Sequence, residues 1–369
     1  MRKVQAAFIF FVLIIMSLPI LRFNFSGTVS EKENRALVKV PSLRKNDKLN
    51  TDFFSDCSAY FNDRFGGREK LISLNKRVSY NVLGAAAFND KAIRGKKGWL
   101  YYTGVMVQGR ATKLSDFYKT NLLSKEQLST FAENVRRTAQ WCESNGIKVI
   151  FLICPNKHSV YPEYYPFQPR PEGQTRSEQL CSVFEELNLP YIFPLKDIIE
   201  KKSAFDFPLY WETDTHWNPV GANIAFERIF QIMRDYFPNT NFPKIKYDTV
   251  ITYGEKEGDL LPILGLEHGH STRPSLVPSG CKKEDFYTFL HYDFMTSVHT
   301  KGTDPSLPRA IIFHDSFFGA LEPFVSPIFS EVQYKFKQFS EDEKSFILEY
   351  KPDVIIFEAI EWLADTICG

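Results

Sequence analysis

The sequence carries no excess of charge of either sign: 45 Lys and Arg face 44 Asp and Glu, a formal net charge of +1. No basic stripe stands out, so the electrostatic footprint of a nucleic-acid-binding surface is missing. Glycine patterns of the phosphate-loop and dinucleotide type are also absent, which argues against nucleotide chemistry. Cysteines are few and scattered. Cys57, Cys142, Cys154, Cys181, Cys281 and Cys368 form no CxxC pair, and a chain of 369 residues does not need a disulfide framework. Some of them, such as Cys154, lie in apolar runs and read as small core residues. There is no HExxH, and His268-Gly269-His270 has no obvious third ligand, so neither a metal nor another cofactor is expected. Internal repeats and low-complexity tracts are lacking too.

One long apolar run opens the chain. Arg2 and Lys3 precede Ala6 to Leu21, interrupted only by Ser17 and Pro19. Basic residues followed by a hydrophobic stretch describe a signal peptide or a single anchor. The run is at the short limit for a bilayer of about 30 Å. Ser17-Leu18-Pro19 is a poor cleavage site, so residues 1–22 are expected to be an uncleaved membrane anchor, with the rest of the chain at the periplasmic or extracellular face of the envelope. Residues 23–50 are polar, contain Pro41 and read as a linker. A single domain is expected over 51–369.

Aromatics are plentiful, with 34 Phe and 17 Tyr, which suits a large core and leaves some rings for a carbohydrate groove. From about Asp52 the pattern is that of an α/β domain. Ser124 to Gln127 reads as a capping box, after which Leu128, Phe131, Val135 and Cys142 recur at helical spacing. Asn145-Gly146 ends that helix, and Lys148 to Ile153 is a short apolar run suited to a buried strand. A second helix is predicted near Ser177 to Leu187, before a strand at Tyr191 to Phe193. A third has Asn218 as N-cap and Pro219 at its first position. Late strands are predicted at Ala310 to Phe313, Val332 to Phe336 and Val354 to Phe357. Alternating helices and apolar strands imply a mostly parallel sheet covered on both faces. Residues 242–308, richer in Pro, Gly and charge, read as a loop-rich insertion.

Sites in such sheets form beyond the carboxyl ends of the strands. His314, Asp315 and Ser316 follow one predicted strand there, and Asn156, Lys157 and His158 follow another. The strand, polar turn and helix around Ser316 lift a hydroxyl to the sheet edge and aim backbone N–H groups at a developing oxyanion. A serine needs a base to become a nucleophile, and a serine after a strand is also a common helix N-cap. Asp214-Thr215-His216 supplies a candidate base. In an extended segment residues two apart point the same way, so the carboxylate would hold Nδ1–H and leave Nε2 for the serine proton. The alternative is a hydrogen-bonded loop with Asp214 and Asn218 as caps.

Together, Asp214-Thr215-His216-Trp217-Asn218, Gly221-Ala222 and His314-Asp315-Ser316-Phe317 resemble the alginate O-acetyltransferase family of AlgJ and AlgX, whose domain is SGNH hydrolase-like. Glu33-Asn34-Arg35, Tyr60 to Phe65 with Arg68, Gly95 to Tyr102, Pro155 to His158 with Tyr161-Pro162-Glu163, Gly258-Asp259-Leu260 and Pro352-Asp353 to Glu358 match in order. The resemblance implies a flavodoxin-like three-layer sandwich, circularly permuted because Asp-x-His precedes Ser. It implies a catalytic triad of Ser316, His216 and Asp214. Asn156, Lys157, His158, Trp217, His314 and Phe317 would serve the oxyanion or the substrate, Asn156 as an oxyanion donor. The implied activity is transfer of an acetyl group through an acyl-serine onto hydroxyls of an exported polysaccharide, with a multi-spanning membrane O-acyltransferase as donor partner. A polysaccharide acetyl-esterase and a non-catalytic glycan-binding scaffold are the alternatives. Two features depart from the pattern: His314 stands where common SGNH enzymes carry Gly, and the sequence ends soon after Trp362, so sugar binding would fall to the catalytic domain or to a partner.

Overall fold

The computed structural model describes residues 5, 8–14, 17, 23–26, 29–30, 35–45, 48–66, 91–104, 113–166, 172–256, 258–264, 266 and 269–368. Most of the expected anchor, 1–22, lies outside them, as do Glu33, Asn34, Arg68 and His268. Among the described residues no helix is long and apolar enough to cross a membrane. The chain forms two compact units, Met1–Ala87 with Leu264–Leu266, and Phe88–Ile263 with Glu267–Gly369.

The first unit contains two short antiparallel pairs, Val29–Ser30 with Arg35–Ala36 and Arg44–Lys45 with Lys48–Leu49, and the helix Phe53–Arg64. The Asp63-Arg64 pair ends that helix. Asp63 Oδ2 accepts the Val38 N–H (2.7 Å), while the buried Arg64 donates to the carbonyls of Val38 (2.9 Å) and Asn24 (3.0 Å).

The second unit is built on a seven-stranded sheet. Its strands are β1 (Lys148–Cys154), β2 (Tyr191–Ile192), β3 (Tyr287–Asp293), β4 (Ser297–Gly302), β5 (Arg309–Phe313), β6 (Glu331–Lys335) and β7 (Val354–Ile360). They lie in the order β3-β4-β6-β5-β7-β1-β2, parallel from β6 to β2, with β4 and β3 added antiparallel at one edge. The apolar runs 149–154 in β1 and 354–357 in β7 fit the centre of a parallel sheet, where both faces are buried. On one face Val149, Phe151, Ile153, Ile311, Phe313, Ile355 and Phe357 form a single core with Phe131, Val135, Leu180, Phe184 and Ile347. These last come from helices α1 (Lys125–Ser144), α2 (Arg176–Glu186) and α4 (Lys344–Tyr350). On the other face Ile150, Leu152, Ile312 and Ile356 are equally sealed from solvent.

Local signals set the helix boundaries. Ser124 Oγ accepts the Gln127 N–H (3.2 Å) and Gln127 Oε1 accepts the Ser124 N–H (2.9 Å), which satisfies two otherwise orphaned donors at the start of α1. Gly146, at φ 75°, follows the C-cap Asn145. Thr175 and Glu178 repeat the reciprocal cap on α2. Residues 242–308 hold more regular structure than their composition announces. A long hairpin, Tyr247–Lys256 with Gly269–Pro278, precedes β3 and β4.

Helix α3 (Pro219–Tyr236) follows directly on the segment 214–218. Asn218 Oδ1 accepts the N–H groups of Val220 and Gly221 (both 3.0 Å), and its Nδ2 donates to the Pro208 carbonyl (2.6 Å). Gly221 is needed for packing, because a Cβ there would stand 2.3 Å from the Leu209 carbonyl oxygen. Asn218→Ala removes a cap and strands a carbonyl partner, so it is expected to cost about 2 kcal/mol. Urea unfolding checks this; an unchanged midpoint would show that the cap contributes nothing to stability.

Candidate active site

Ser316 lies just past the end of β5. That strand sits between β6 and β7, the strands that follow it in sequence, so the chain runs from it to both sides. This is the topological switch point, where open α/β sheets place their ligand crevice. The turn itself is clamped. Asp315 is the N-cap of the short helix Ser316–Ala320 and accepts the Phe317 N–H on Oδ1 (2.9 Å). Its Oδ2 accepts the Ile360 N–H (2.7 Å), and its own N–H donates to Glu358 Oε2 (2.8 Å). Capping therefore falls to Asp315, and the Ser316 hydroxyl points elsewhere.

It points to His216. The His216 Nε2···Ser316 Oγ distance is 2.7 Å, and His216 Nδ1 lies 2.7 Å from Asp214 Oδ1. The expected extended geometry of Asp214-Thr215-His216 is corrected here: the segment is bent. Asp214 Oδ1 also accepts the His216 backbone N–H (3.0 Å), the local turn that aspartate favours. One oxygen thus grips both the ring and the backbone of the histidine. With the carboxylate accepting from Nδ1–H, Nε2 is the acceptor available to the serine proton.

The residues flanking the pair tie the two elements together. Trp217, fully buried, donates Nε1–H to the Phe317 carbonyl (2.9 Å), and the Phe317 ring lies 4.7 Å from the His216 ring. Beneath the bend, Lys157 donates to three backbone carbonyls, those of Trp211 (2.7 Å), Glu212 (2.9 Å) and Asp214 (2.8 Å). The rings of Trp99 and Tyr101 lie 5.1 and 5.3 Å from its ammonium group, so this buried charge is compensated on several sides. The Leu100 N–H adds a bond to the Glu212 carbonyl (2.8 Å).

Other sequence-derived candidates sit behind the site. Asn156 donates its side-chain amide to Asp116 Oδ2 (3.4 Å) and its backbone N–H to Glu361 Oε2 (2.8 Å). His158 packs among Tyr101, Phe117 and Tyr165. His314, buried among Phe318, Tyr334 and Phe336, has its Nδ1 2.7 Å from the Asp315 carbonyl, and burial pushes its imidazole below the usual range. The Asn156 amide, expected as an oxyanion donor, is thus engaged with Asp116, and the Phe317 N–H just after the serine is engaged with Asp315.

One neighbour was not singled out as a site residue. Asp259, from the matched Gly258-Asp259-Leu260 segment, accepts the Thr215 N–H on Oδ1 (2.7 Å), and its Oδ2 stands 3.8 Å from His216 Nδ1. Partial desolvation and the nearby Asp214 charge raise its carboxyl above the ordinary range. Asp214, His216 and Asp259 offer ligand atoms within 4.8 Å of one another, a spacing a metal ion can use. Both ring nitrogens of His216, however, are taken up by Asp214 and Ser316.

Residues 92–285, more than half of the chain, match the family described as SGNH hydrolase-like domain, acetyltransferase AlgX. The chain belongs to this family. Asp214, His216 and Asp259 fall inside the matched residues, and Ser316 lies beyond them. Among solved structures, PatB1 of Bacillus cereus is similar in fold to this AlgX-family chain, with a TM-score of 0.54 and 12% identity over 75% of this chain and 98% of that one. The same protein with a sulfonyl adduct gives 0.55 and 12% over 76% and 99%. The O-acetyltransferase domain of Pseudomonas putida AlgJ gives 0.47 and 15% over 74% and 92%. No curated protein matches the sequence.

Glu358, wholly buried under the serine turn, is pushed well above the usual carboxylate range by burial and then by the Asp315 charge. A raised native pKa means that the folded state binds the proton more tightly, so stability is lost as pH climbs through that interval. Glu358→Gln should therefore stabilise the protein at pH 8 and leave it nearly unchanged at pH 4. Thermal melts of both proteins at the two pH values check the sign, and a variant less stable at pH 8 would refute it.

Proposed function

We propose that Ser316, His216 and Asp214 form the catalytic triad of an O-acetyltransferase that acylates hydroxyls of an exported polysaccharide. The observation that carries this reading is the unbroken hydrogen-bonded line from Asp214 through His216 to Ser316, with 2.7 Å at each step. Membership of the acetyltransferase family supports the reaction class.

The steps follow from the geometry. His216 Nε2 takes the Ser316 Oγ proton as Oγ attacks the acyl carbonyl of a donor ester. Collapse of the tetrahedral intermediate releases the donor alcohol, which carries that proton away and leaves an acyl-serine. A sugar hydroxyl then gives its proton to Nε2 and attacks the acyl carbon, and Ser316 Oγ recovers the proton as it leaves. Asp214 stabilises the imidazolium formed in both halves. The half-buried setting of His216 and Asp214 strengthens that interaction over its value in water. Lys157 and Trp217 support the triad by holding its loop, and His314 and Phe317 support it by packing around the serine turn.

The strand order supports a circular permutation. Counted from the serine-bearing strand, β5, β6, β7, β1 and β2 become strands one to five, and their spatial order reads 2-1-3-4-5, the doubly wound flavodoxin arrangement. The N-terminal sequence supports residues 1–22 as an anchor that holds the domain outside the cytoplasm, followed by a linker to residue 50 and the acetyltransferase domain. Acetyl-CoA is cytoplasmic, so the acyl group would arrive through a multi-spanning membrane O-acyltransferase.

On an acetyl-ester reporter, Ser316→Ala should abolish turnover, and Asp214→Asn should cost on the order of 10⁴-fold in kcat. Wild-type turnover by purified Ser316→Ala would sink the triad. Supplying an oligosaccharide beside water as acceptor tests the transfer: acetyl-sugar is the expected product, whereas acetate alone would make the protein an esterase.

A further inference from the structure

We propose that Asp259 is a positioning residue for this reaction, bracing the Asp214–His216 bend so that the imidazole stays aimed at Ser316. The inference rests on the triad reading above. Two segments far apart in sequence are locked together by reciprocal bonds. The Asp259 N–H donates to Asp214 Oδ2 (3.1 Å), and the Thr215 N–H donates back to Asp259 Oδ1 (2.7 Å). The Leu260 N–H reaches the Thr213 carbonyl at 3.4 Å. At Gly258 the backbones approach so closely that a Cβ would stand 2.1 Å from the Thr213 carbonyl oxygen. Only glycine permits this approach.

The clamp matters because a bend held by one aspartate leaves that carboxylate free to rotate. Asp214 engages Oδ1 with His216, through both the backbone N–H and the ring. Its second oxygen is held by the Asp259 N–H, which removes the torsional freedom of the carboxylate. Asp259 Oδ1 in turn anchors Thr215, the residue between the two triad members. Each member of the bend therefore has an acceptor or donor contributed from the 258–260 segment or from within the bend itself.

The test separates bracing from simple folding and from charge. Asp259→Ala removes the Thr215 acceptor and should lower kcat on the ester reporter on the order of 10- to 100-fold, with KM changed by less than about threefold and the melting temperature nearly unchanged. Asp259→Asn keeps a carbonyl oxygen for the Thr215 N–H and should restore kcat to within about fivefold of wild type by the same positioning argument. Gly258→Ala, which must push the clamp open, should match the loss in Asp259→Ala. Labelling of Ser316 by a fluorophosphonate, followed by mass spectrometry, should slow in parallel. Full activity in Asp259→Ala while Ser316→Ala is dead overturns the brace and leaves the triad standing. Equal losses in Asp259→Ala and Asp259→Asn, or a rise confined to KM, also overturn it, pointing to charge or substrate binding. Activity retained by Ser316→Ala overturns the triad itself.

Discussion

A single carboxylate oxygen, Asp214 Oδ1, sets the orientation on which the site depends. By accepting from the backbone N–H and standing against the ring nitrogen of the same histidine, it fixes where His216 lies and how its ring is turned. A histidine held only at its ring could swing with its backbone, and one held only at its backbone could rotate about its side-chain bonds. Held at both, it presents Nε2 to one point in space. The rest of the second unit serves to bring a serine hydroxyl to that point.

The division of labour around the site follows from the kind of group each position can supply. Lys157 is buried yet surrounded by carbonyls and ring faces, so its charge supports the backbone beneath the bend. Asp315, beside the serine, caps the turn and binds β7, which leaves the serine hydroxyl uncommitted to capping. Glu358 sits below, its carboxyl pushed well above the usual carboxylate range by burial, and it accepts the Asp315 N–H. Polar residues at the rim of the sheet thus include groups that hold the backbone, beside the three proposed to carry the chemistry.

Much of this was legible in the sequence. The buried strands announced themselves as apolar runs and the helices by their caps, because Ser124 with Gln127, and Asn218 with Pro219, are local signals that need no tertiary context. Asp214, His216 and Ser316 were legible as candidates for the same reason. The bend between Asp214 and His216 was not, since residues two apart suit either an extended or a turned segment. Asp259 falls in a matching segment but its role is not legible there, because its partners lie more than forty positions earlier in the chain and sequence spacing carries no information at that range. Strands β3 and β4 lie inside the stretch whose composition reads as a loop-rich insertion. An edge strand whose residues after Tyr287 are exposed on both faces shows too little alternation of polar and apolar positions to declare itself.

The bond from Trp217 to the Phe317 carbonyl has a consequence for turnover. It joins the two segments one residue beyond His216 and one residue beyond Ser316. In the proposed chemistry the contact between imidazole and hydroxyl would break and re-form as the proton moves, while the indole bond would take no part. In the proposed reaction the spacing between base and nucleophile would be kept by this strut, and an acylated serine, having lost its own link to the ring, would still find the base at the same distance.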